Sequence, residues 1–572
     1  MRKKHLPIAA AVAAIGLVIG LFAAGTAGSS ATITAARQTA VTRLSERVEA
    51  GASHKTVLPA TSCAALSGLN LDSVITGVPA QVTSAATVTY QAAGYCQVSV
   101  LIAPQTQGQI MLPETTWTGD YVQEGCGGQC GTASTGPPSA AAGCAPVTAN
   151  QLVFASDDEG HSGPGTIFAA NDIELRTQYA YLSEHYMALI TKTVIKGFYG
   201  TGPTYSYYDG CSTGGREALA EAERYPLDFQ GILAGSPVSN LEALSAEEHS
   251  WVELANMAPD GTEILTSAQI PALHAAVMAA CANSQGYIPD PRSCDFNPAS
   301  IQCPVGVSSS SCLTPAQVAA AIRIYSGPTD PQGKLLYPGG EPYGSELAWP
   351  GTFIEPATDT AWPLDTIDGG FASSVVANEA LPEVLPGFSL KQWQFTDAYF
   401  AKLQALTPLY DAIDPDLSAF EHDGGKLIIY QPAADQDAPP TATIDYYQQV
   451  VRYAGGFAGS QSFSRFYLVP GGYHCLGGGS PDVTGDLLTP LMQWAEHGQA
   501  PGTVSFPLVT PTPTLSAIPV APLNPDAPPP GGAKGLNADT SSWIGTYSTE
   551  LMWCSDDGMS VSCRLASRDP SS

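Results

Sequence analysis

Gly210-Cys211-Ser212-Thr213-Gly214 sets a serine between two glycines, after the strand-like run Tyr205-Ser206-Tyr207-Tyr208-Asp209 and before the helix-forming Gly215-Arg216-Glu217-Ala218-Leu219-Ala220. A strand, a sharp turn and a helix with serine at the apex is an arrangement that lifts a hydroxyl clear of a sheet. Glycine on each flank permits strained backbone, and the start of the following helix aims free N–H groups and a positive dipole end at a developing oxyanion. The chemistry expected of such a turn is acyl transfer, with ester hydrolysis as the leading reading.

A serine hydroxyl is a weak nucleophile near neutral pH, so it needs a base within hydrogen-bond reach and a carboxylate to orient that base. On this fold pattern the acid follows a late strand and the histidine follows the next one. Asp435 follows the strand-like Lys426-Leu427-Ile428-Ile429-Tyr430, and His474 follows Arg465-Phe466-Tyr467-Leu468-Val469 through Pro470-Gly471-Gly472-Tyr473. His474 is one of nine histidines, and the plain alternative for it alone is a surface loop residue. Asp437 competes with Asp435 in the same loop and Asp445 lies on the next helix; spacing does not exclude Asp437. Cys211 precedes the serine and Cys475 follows the histidine, so if Ser212 and His474 meet, their neighbours fall within disulfide distance. The alternative is that Cys211 is a small buried filler. The Thr213 N–H is one oxyanion donor, and Gly125-Cys126-Gly127-Gly128 is a glycine-rich loop suited to a second, or a purely structural turn.

The elements that must hold these residues are legible as alternating runs. Ala86–Tyr90, Cys96–Ile102, Leu112–Trp117 and Tyr121–Gln123 read as strands, followed by helical spacing from Asp172 that ends at Gly197. Thr204–Tyr208, the serine turn, a helix to about Tyr225 and the short strand in Phe229–Pro237 give a β-turn-α-β order, which implies a parallel sheet. From about 245 to 400 the alternation gives way to helical pieces, proline-rich loops and aromatic residues, among them Trp349, Phe353, Trp362, Phe371, Trp393 and Phe400. The expectation is an α/β protein: an α/β-hydrolase fold with a large inserted lid domain, made of catalytic residues 57–244 and 405–572 around a lid at 245–404. The Thr/Pro-rich stretch 508–533 is expected on the surface in extended form.

The chain has 572 residues, 44% of them apolar, and a net charge of -29, a balance that repels phosphate backbones and anionic lipid. Nucleic acid is excluded as a partner on that ground. Arg2-Lys3-Lys4-His5, an apolar run from Leu6 to about Ala24 and a small-residue end suggest a secretory signal over 1–27, with an uncleaved anchor as the alternative; a linker follows over 28–56. The expected location is outside the cell, with no membrane contact after signal cleavage. Thirteen cysteines in an exported chain favour disulfides. Cys281 with Cys294, Cys303 with Cys312 and Cys554 with Cys563 close short loops, while Cys63 and Cys96 flank the first strand-like region. Cys126, Cys130 and Cys144 allow only one internal pair; zinc ligation with a histidine is the weaker alternative.

Together these residues resemble the tannase and feruloyl esterase family, whose members include an esterase of mono(2-hydroxyethyl) terephthalate. Cys211-Ser212, a distant Asp435 and His474-Cys475 look like its CS-D-HC arrangement. Arg224-Tyr225-Pro226-Leu227-Asp228-Phe229-Gln230-Gly231-Ile232, Leu112-Pro113-Glu114, Thr443-Ile444-Asp445-Tyr446-Tyr447 and Val469-Pro470-Gly471-Gly472-Tyr473 are similar to further signatures, so the likeness spans about 57 to 565. It implies a Cys211–Cys475 bridge, a second oxyanion donor at Gly127 or Gly128, and cleavage of galloyl, feruloyl or related aromatic esters, free or polymer-linked, without a cofactor. The family's acid sits in a His-Gly-Trp-Ala-Asp-like loop; Gln431-Pro432-Ala433-Ala434-Asp435 stands there, which favours Asp435 while departing from the usual lead. The family's lid calcium uses a run of aspartates between two cysteines, whereas Cys281–Cys294 encloses a single acid, Asp290. Calcium wants about six to eight oxygens, so no metal is expected there. A serine peptidase, a thioesterase and a non-catalytic secreted binding protein are the competing readings, and the lid aromatics are core unless they reach the site.

Overall fold

The computed structural model describes residues 55–133, 140–357, 366–381, 383–536, 538–545, 547, 552–556 and 561–565. The signal expected at 1–27, almost all of the linker expected at 28–56, and Trp362 lie outside them. Runs rich in β-branched and aromatic residues form β1 (Ala80–Tyr90), β2 (Ala93–Ile102), β3 (Thr106–Pro113), β4 (Asp120–Glu124), β5 (Val153–Asp157), β6 (Tyr205–Cys211), β7 (Gly231–Gly235), β8 (Lys426–Pro432) and β9 (Ser464–Val469). These make one sheet in the order β1-β2-β3-β5-β4-β6-β7-β8-β9. The first three strands and β5 pair antiparallel, and from β5 to β9 every pairing is parallel. Parallel strands end on the same edge, so the loops after β6, β7, β8 and β9 open together there.

Alternation along each strand splits the core. Ile110, Ala155, Tyr208, Ile232, Ile429 and Phe466 bury toward one face; their neighbours Met111, Phe154, Tyr207, Leu233, Ile428 and Tyr467 bury toward the other. The helix before β6, α1 (Ser183–Tyr199), covers the first face with Met187, Val194 and Phe198, and the helix after it, α2 (Thr213–Arg224), joins it through Ala218 and Leu219. Between β7 and β8 no strand of this sheet occurs among the described residues; this insertion holds α3 (His249–Ala255), α4 (Ile270–Cys281), α5 (Pro315–Ser326) and α6 (Ile367–Asn378). It has its own core of Trp251, Leu273, Ile324, Tyr325, Trp349 and Phe353. A second cluster packs Val375, Trp393 and Phe400 against Val238, Ala438 and Ala442 at the edge of the sheet domain. After β8, α7 (Pro440–Tyr453) completes the first face with Tyr447 and Val450, and α8 (Leu488–His497) covers the second with Leu491 and Trp494. Helices on both faces of a largely parallel sheet make the fold α/β, as the sequence leads one to expect.

Three details differ from expectation. The central strand β5 is not apparent in the sequence because Val153-Phe154-Ala155-Ser156-Asp157 is only five residues long and ends in an acid. The third strand lies at Thr106–Pro113 rather than Leu112–Trp117; Trp117 instead stacks on Tyr199 with ring centroids 3.9 Å apart. The helix expected to stop at Gly197 runs to Tyr199, and Gly200 caps it at φ 78°. Gly197 lies inside this helix with its bare Cα packed on Leu69, where an added Cβ would come within 3.1 Å. Beyond α8, β10 (Val504–Pro507) and β11 (Ala517–Val520) form a hairpin apart from the main sheet, and β12 (Met552–Asp556) pairs with β13 (Val561–Leu565) in a register that sets Cys554 opposite Cys563; their side chains lie outside the described structure.

Candidate active site

The serine turn is built by close backbone approach. Ser212 has φ 66° and ψ -123°, a region that non-glycine residues rarely occupy. Its N–H donates to the Gly235 carbonyl at 3.0 Å, and its own carbonyl accepts from Val238 at 3.2 Å, so the strained residue is clamped by the turn after β7. At Gly210 an added Cβ would lie 2.1 Å from the Gly214 carbonyl oxygen, which leaves room for glycine alone. Gly214 in turn sits against the Gly125 backbone, so the loop of Gly125, Cys126, Gly127 and Gly128 crosses the start of α2. Thr213 Oγ1 donates to the Gly128 carbonyl at 2.6 Å, and Glu217 accepts the Cys126 N–H at 3.1 Å. Among the described residues the N–H groups of Thr213, Gly127 and Gly128 donate to no backbone carbonyl. Thr213 follows Ser212 directly, and its hydroxyl holds Gly128 against the start of α2.

The loops after β8 and β9 bring Asp435 and His474 together. Asp435 Oδ1 lies 2.9 Å from His474 Nδ1, with the aspartate fully buried and the imidazole side chain 17% exposed. The same oxygen accepts the N–H groups of Asp437 at 3.1 Å and Ala438 at 2.9 Å, while Oδ2 accepts from Gln431 Nε2 at 2.9 Å. The two backbone N–H groups and the Gln431 amide fix this carboxylate in place facing the ring. Asp437, the competitor, makes no hydrogen bond to the imidazole; its Oδ2 accepts from Gln436. Burial works against a charge on His474, but Asp435 first and Asp437 second outweigh it and raise the imidazole from 6.5 to about 9. Asp445 is turned away to the Tyr547 hydroxyl at 2.7 Å.

Cys211 and Cys475 form a disulfide with Cα atoms 5.9 Å apart, which ties the serine turn to the histidine loop across 264 positions of sequence. Cys475 has φ 58° and donates its N–H to Ser236 Oγ at 3.2 Å. Further bridges join Cys63 to Cys96, Cys281 to Cys294 and Cys303 to Cys312. In the group of three, Cys126 bonds Cys130 and braces the glycine loop, while Cys144 is a free, buried thiol. In that bridge neither thiol is free to ligate zinc together with a histidine.

Several residues of this site carry no sequence signal. Gln431 and Gln436 hold the acid loop, Ser236 steadies Cys475, and Glu217 holds the glycine loop. Phe371 on α6 reaches to 3.5 Å from where a Gly128 Cβ would stand, so one aromatic of the insertion lies over the glycine loop. Trp349, Phe353, Trp393 and Phe400 are core. The Cys281–Cys294 loop does not fit calcium: its one acid, Asp290, grips the Arg292 guanidinium through both oxygens at 3.0 and 2.7 Å.

The tannase and feruloyl esterase family profile matches residues 90–513. An uncharacterized esterase of Xanthomonas campestris pv. campestris is 30% identical over 509 residues, covering 79% of this chain and 85% of that one. The mono(2-hydroxyethyl) terephthalate hydrolase of Piscinibacter sakaiensis is 28% identical over 483 residues, 72% of this chain and 78% of that protein. The crystal structure of feruloyl esterase B from Aspergillus oryzae superposes with a TM-score of 0.67 at 23% identity, covering 80% of this chain and 95% of that one, which establishes the shared fold. With α/β-hydrolase architecture, esterase relatives and a family match across most of its length, this chain belongs to the tannase and feruloyl esterase family and is a carboxylic ester hydrolase.

Proposed function

We propose that Ser212, His474 and Asp435 act as nucleophile, base and orienting acid in the hydrolysis of aromatic carboxylic esters. The observation that carries this reading is the buried 2.9 Å Asp435–His474 pair, bolted to the serine turn by the Cys211–Cys475 disulfide. His474 takes the Ser212 proton as Oγ bonds the ester carbonyl carbon, and the carbonyl electron pair moves onto oxygen. The N–H groups of Thr213 and of Gly127 or Gly128 bind that oxyanion. Collapse expels the alcohol, which takes the proton from His474; water then attacks the acyl-serine with His474 as base, releasing the acid and restoring Ser212. No step requires a cofactor. Among the described residues no hydrogen bond links the Ser212 hydroxyl to His474, and catalytic contacts of this kind commonly tighten only when substrate binds.

The insertion, with Phe371 above the oxyanion loop, serves as a lid that presents an aromatic face to the acyl ring. Relatives named feruloyl esterase B and mono(2-hydroxyethyl) terephthalate hydrolase support an aromatic acyl group, free or attached to a plant polymer. Secretion is supported by the basic and apolar start of the chain and by five disulfides, which an oxidising compartment maintains. Purified protein assayed against methyl gallate, methyl ferulate, a terephthalate monoester and a peptide is expected to hydrolyse at least one aromatic ester and leave the peptide intact. Turnover of the peptide alone, or of none of the four, overturns the reading.

The raised imidazole sets the pH profile. Only neutral His474 accepts the serine proton, so kcat/KM is expected to climb as pH rises and reach half its plateau near 9. The linked stability runs the other way: a raised folded pKa stabilises fully below 6.5, and that contribution is lost as pH rises through about 9. A kcat/KM profile already flat from pH 6 upward contradicts this assignment.

A further inference from the structure

Behind the Asp435 loop, Glu248, His249 and Asp368 converge. Glu248 ends a π-helical turn, Leu244–Glu248, His249 begins α3, and Asp368 stands in the first turn of α6. Single turns of this kind recur at functional sites. One oxygen from each carboxylate and one ring nitrogen of His249 lie within 4.8 Å of one another. All three are buried, Glu248 and Asp368 at 0% exposure and His249 at 5%. Both oxygens of Glu248, both of Asp368 and Nδ1 of His249 have no hydrogen-bond partner among the described residues. No lysine or arginine among those residues pairs with either acid; His249 Nε2 is 3.8 Å from Asp368 Oδ1, and the other charged groups acting on the two carboxylates are acids, Asp437 on both and Glu253 and Glu341 on Asp368. The ring is oriented by the Asp437 carbonyl, 3.1 Å from Nε2.

Two carboxylates withdrawn from water with no hydrogen bonds and no counter-charge are strongly unfavourable, and a cation between them removes the penalty. We propose that Glu248, His249 and Asp368 form a binding site for a divalent transition-metal ion of the zinc and manganese class. Imidazole is a poor ligand for calcium or magnesium but suits first-row metals, and three converging N and O donors match their coordination. A backbone carbonyl beside the ring is the kind of outer contact that fixes a metal-binding imidazole. The ion joins α3 to α6 and so pins the insertion behind the loop that carries Asp435, a structural role separate from the ester chemistry. It is also separate from the Cys281–Cys294 loop, where Arg292 occupies the only acid.

The test compares the full chain with the double variant Glu248→Gln, Asp368→Asn, whose side chains keep their shape but lose charge. Each is stripped with chelator, equilibrated with ZnCl2 or MnCl2, passed through gel filtration and analysed for metal by mass spectrometry, with thermal unfolding followed in parallel. The expected result is about one retained ion per wild-type chain with a higher unfolding temperature, and affinity weakened by roughly 100-fold or more in the variant. Equal metal content in both proteins, or none in the wild type, overturns the proposal. If the variant does not fold, anomalous diffraction from metal-equilibrated wild-type crystals decides: a peak among the three side chains upholds the site, and a peak elsewhere or no peak overturns it.

Discussion

Replacing Ser212 with alanine is expected to lower kcat on an aromatic ester by roughly 10⁵- to 10⁶-fold while leaving the fold unchanged. The size of the effect follows from the role: without Oγ no acyl-enzyme forms, and what survives is water attack assisted by the oxyanion donors. Ser212 is held in its strained conformation by backbone contacts, its N–H to Gly235 and its carbonyl from Val238, none of which involves the hydroxyl. Thermal unfolding of Ser212→Ala should therefore match wild type within a few degrees, and substrate should still bind. A variant that keeps more than about a hundredth of wild-type kcat in steady-state assays removes Ser212 from the mechanism.

The second large effect separates the two aspartates of one loop. Asp435→Asn is expected to cost about 10⁴-fold in kcat, because an amide cannot hold the imidazole in the tautomer that receives the serine proton. It also leaves the N–H groups of Asp437 and Ala438 and the Gln431 amide facing a weaker acceptor, so some stability is lost with it. Asp437→Asn acts differently. Asp437 does not touch the ring but contributes to raising its pKa, so its neutralisation lowers the His474 pKa and moves the rising limb of kcat/KM to lower pH with plateau kcat nearly intact. Paired pH–rate profiles of the two variants read this directly; a 10⁴-fold loss in Asp437→Asn with little loss in Asp435→Asn would reverse the assignment.

How much of this was legible in one dimension depends on how local the physics is. The serine turn is visible in sequence because its requirement is steric and lies within five residues: glycine at 210 and 214 answers contacts with Gly214 and Gly125 that any Cβ would break. Strands that read as continuous apolar runs, such as β8 and β9, announce themselves because they are buried on both faces of the sheet. β5 does not, since five residues ending in Ser156 and Asp157 have too little pattern to register, although that strand sits in the middle of the sheet. The residue-level likeness to a family carried the assignment of Asp435 as far as a departure from the usual loop lead allowed.

Chain order, glycine placement and paired cysteines determined that a serine, an acid and a histidine would each follow the end of a strand in an α/β protein. Only the tertiary structure decided that His474 faces Asp435 and not Asp437, that Cys126 bonds Cys130 and leaves Cys144 alone, and that Phe371 comes over the glycine loop. It alone put Glu248 and His249 beside Asp368. The division has one cause: backbone sterics and strand periodicity act between neighbours in the chain, whereas side-chain choice between adjacent loop residues, and contact between an insertion and the sheet it covers, depend on directions and distances that exist only once the chain has packed.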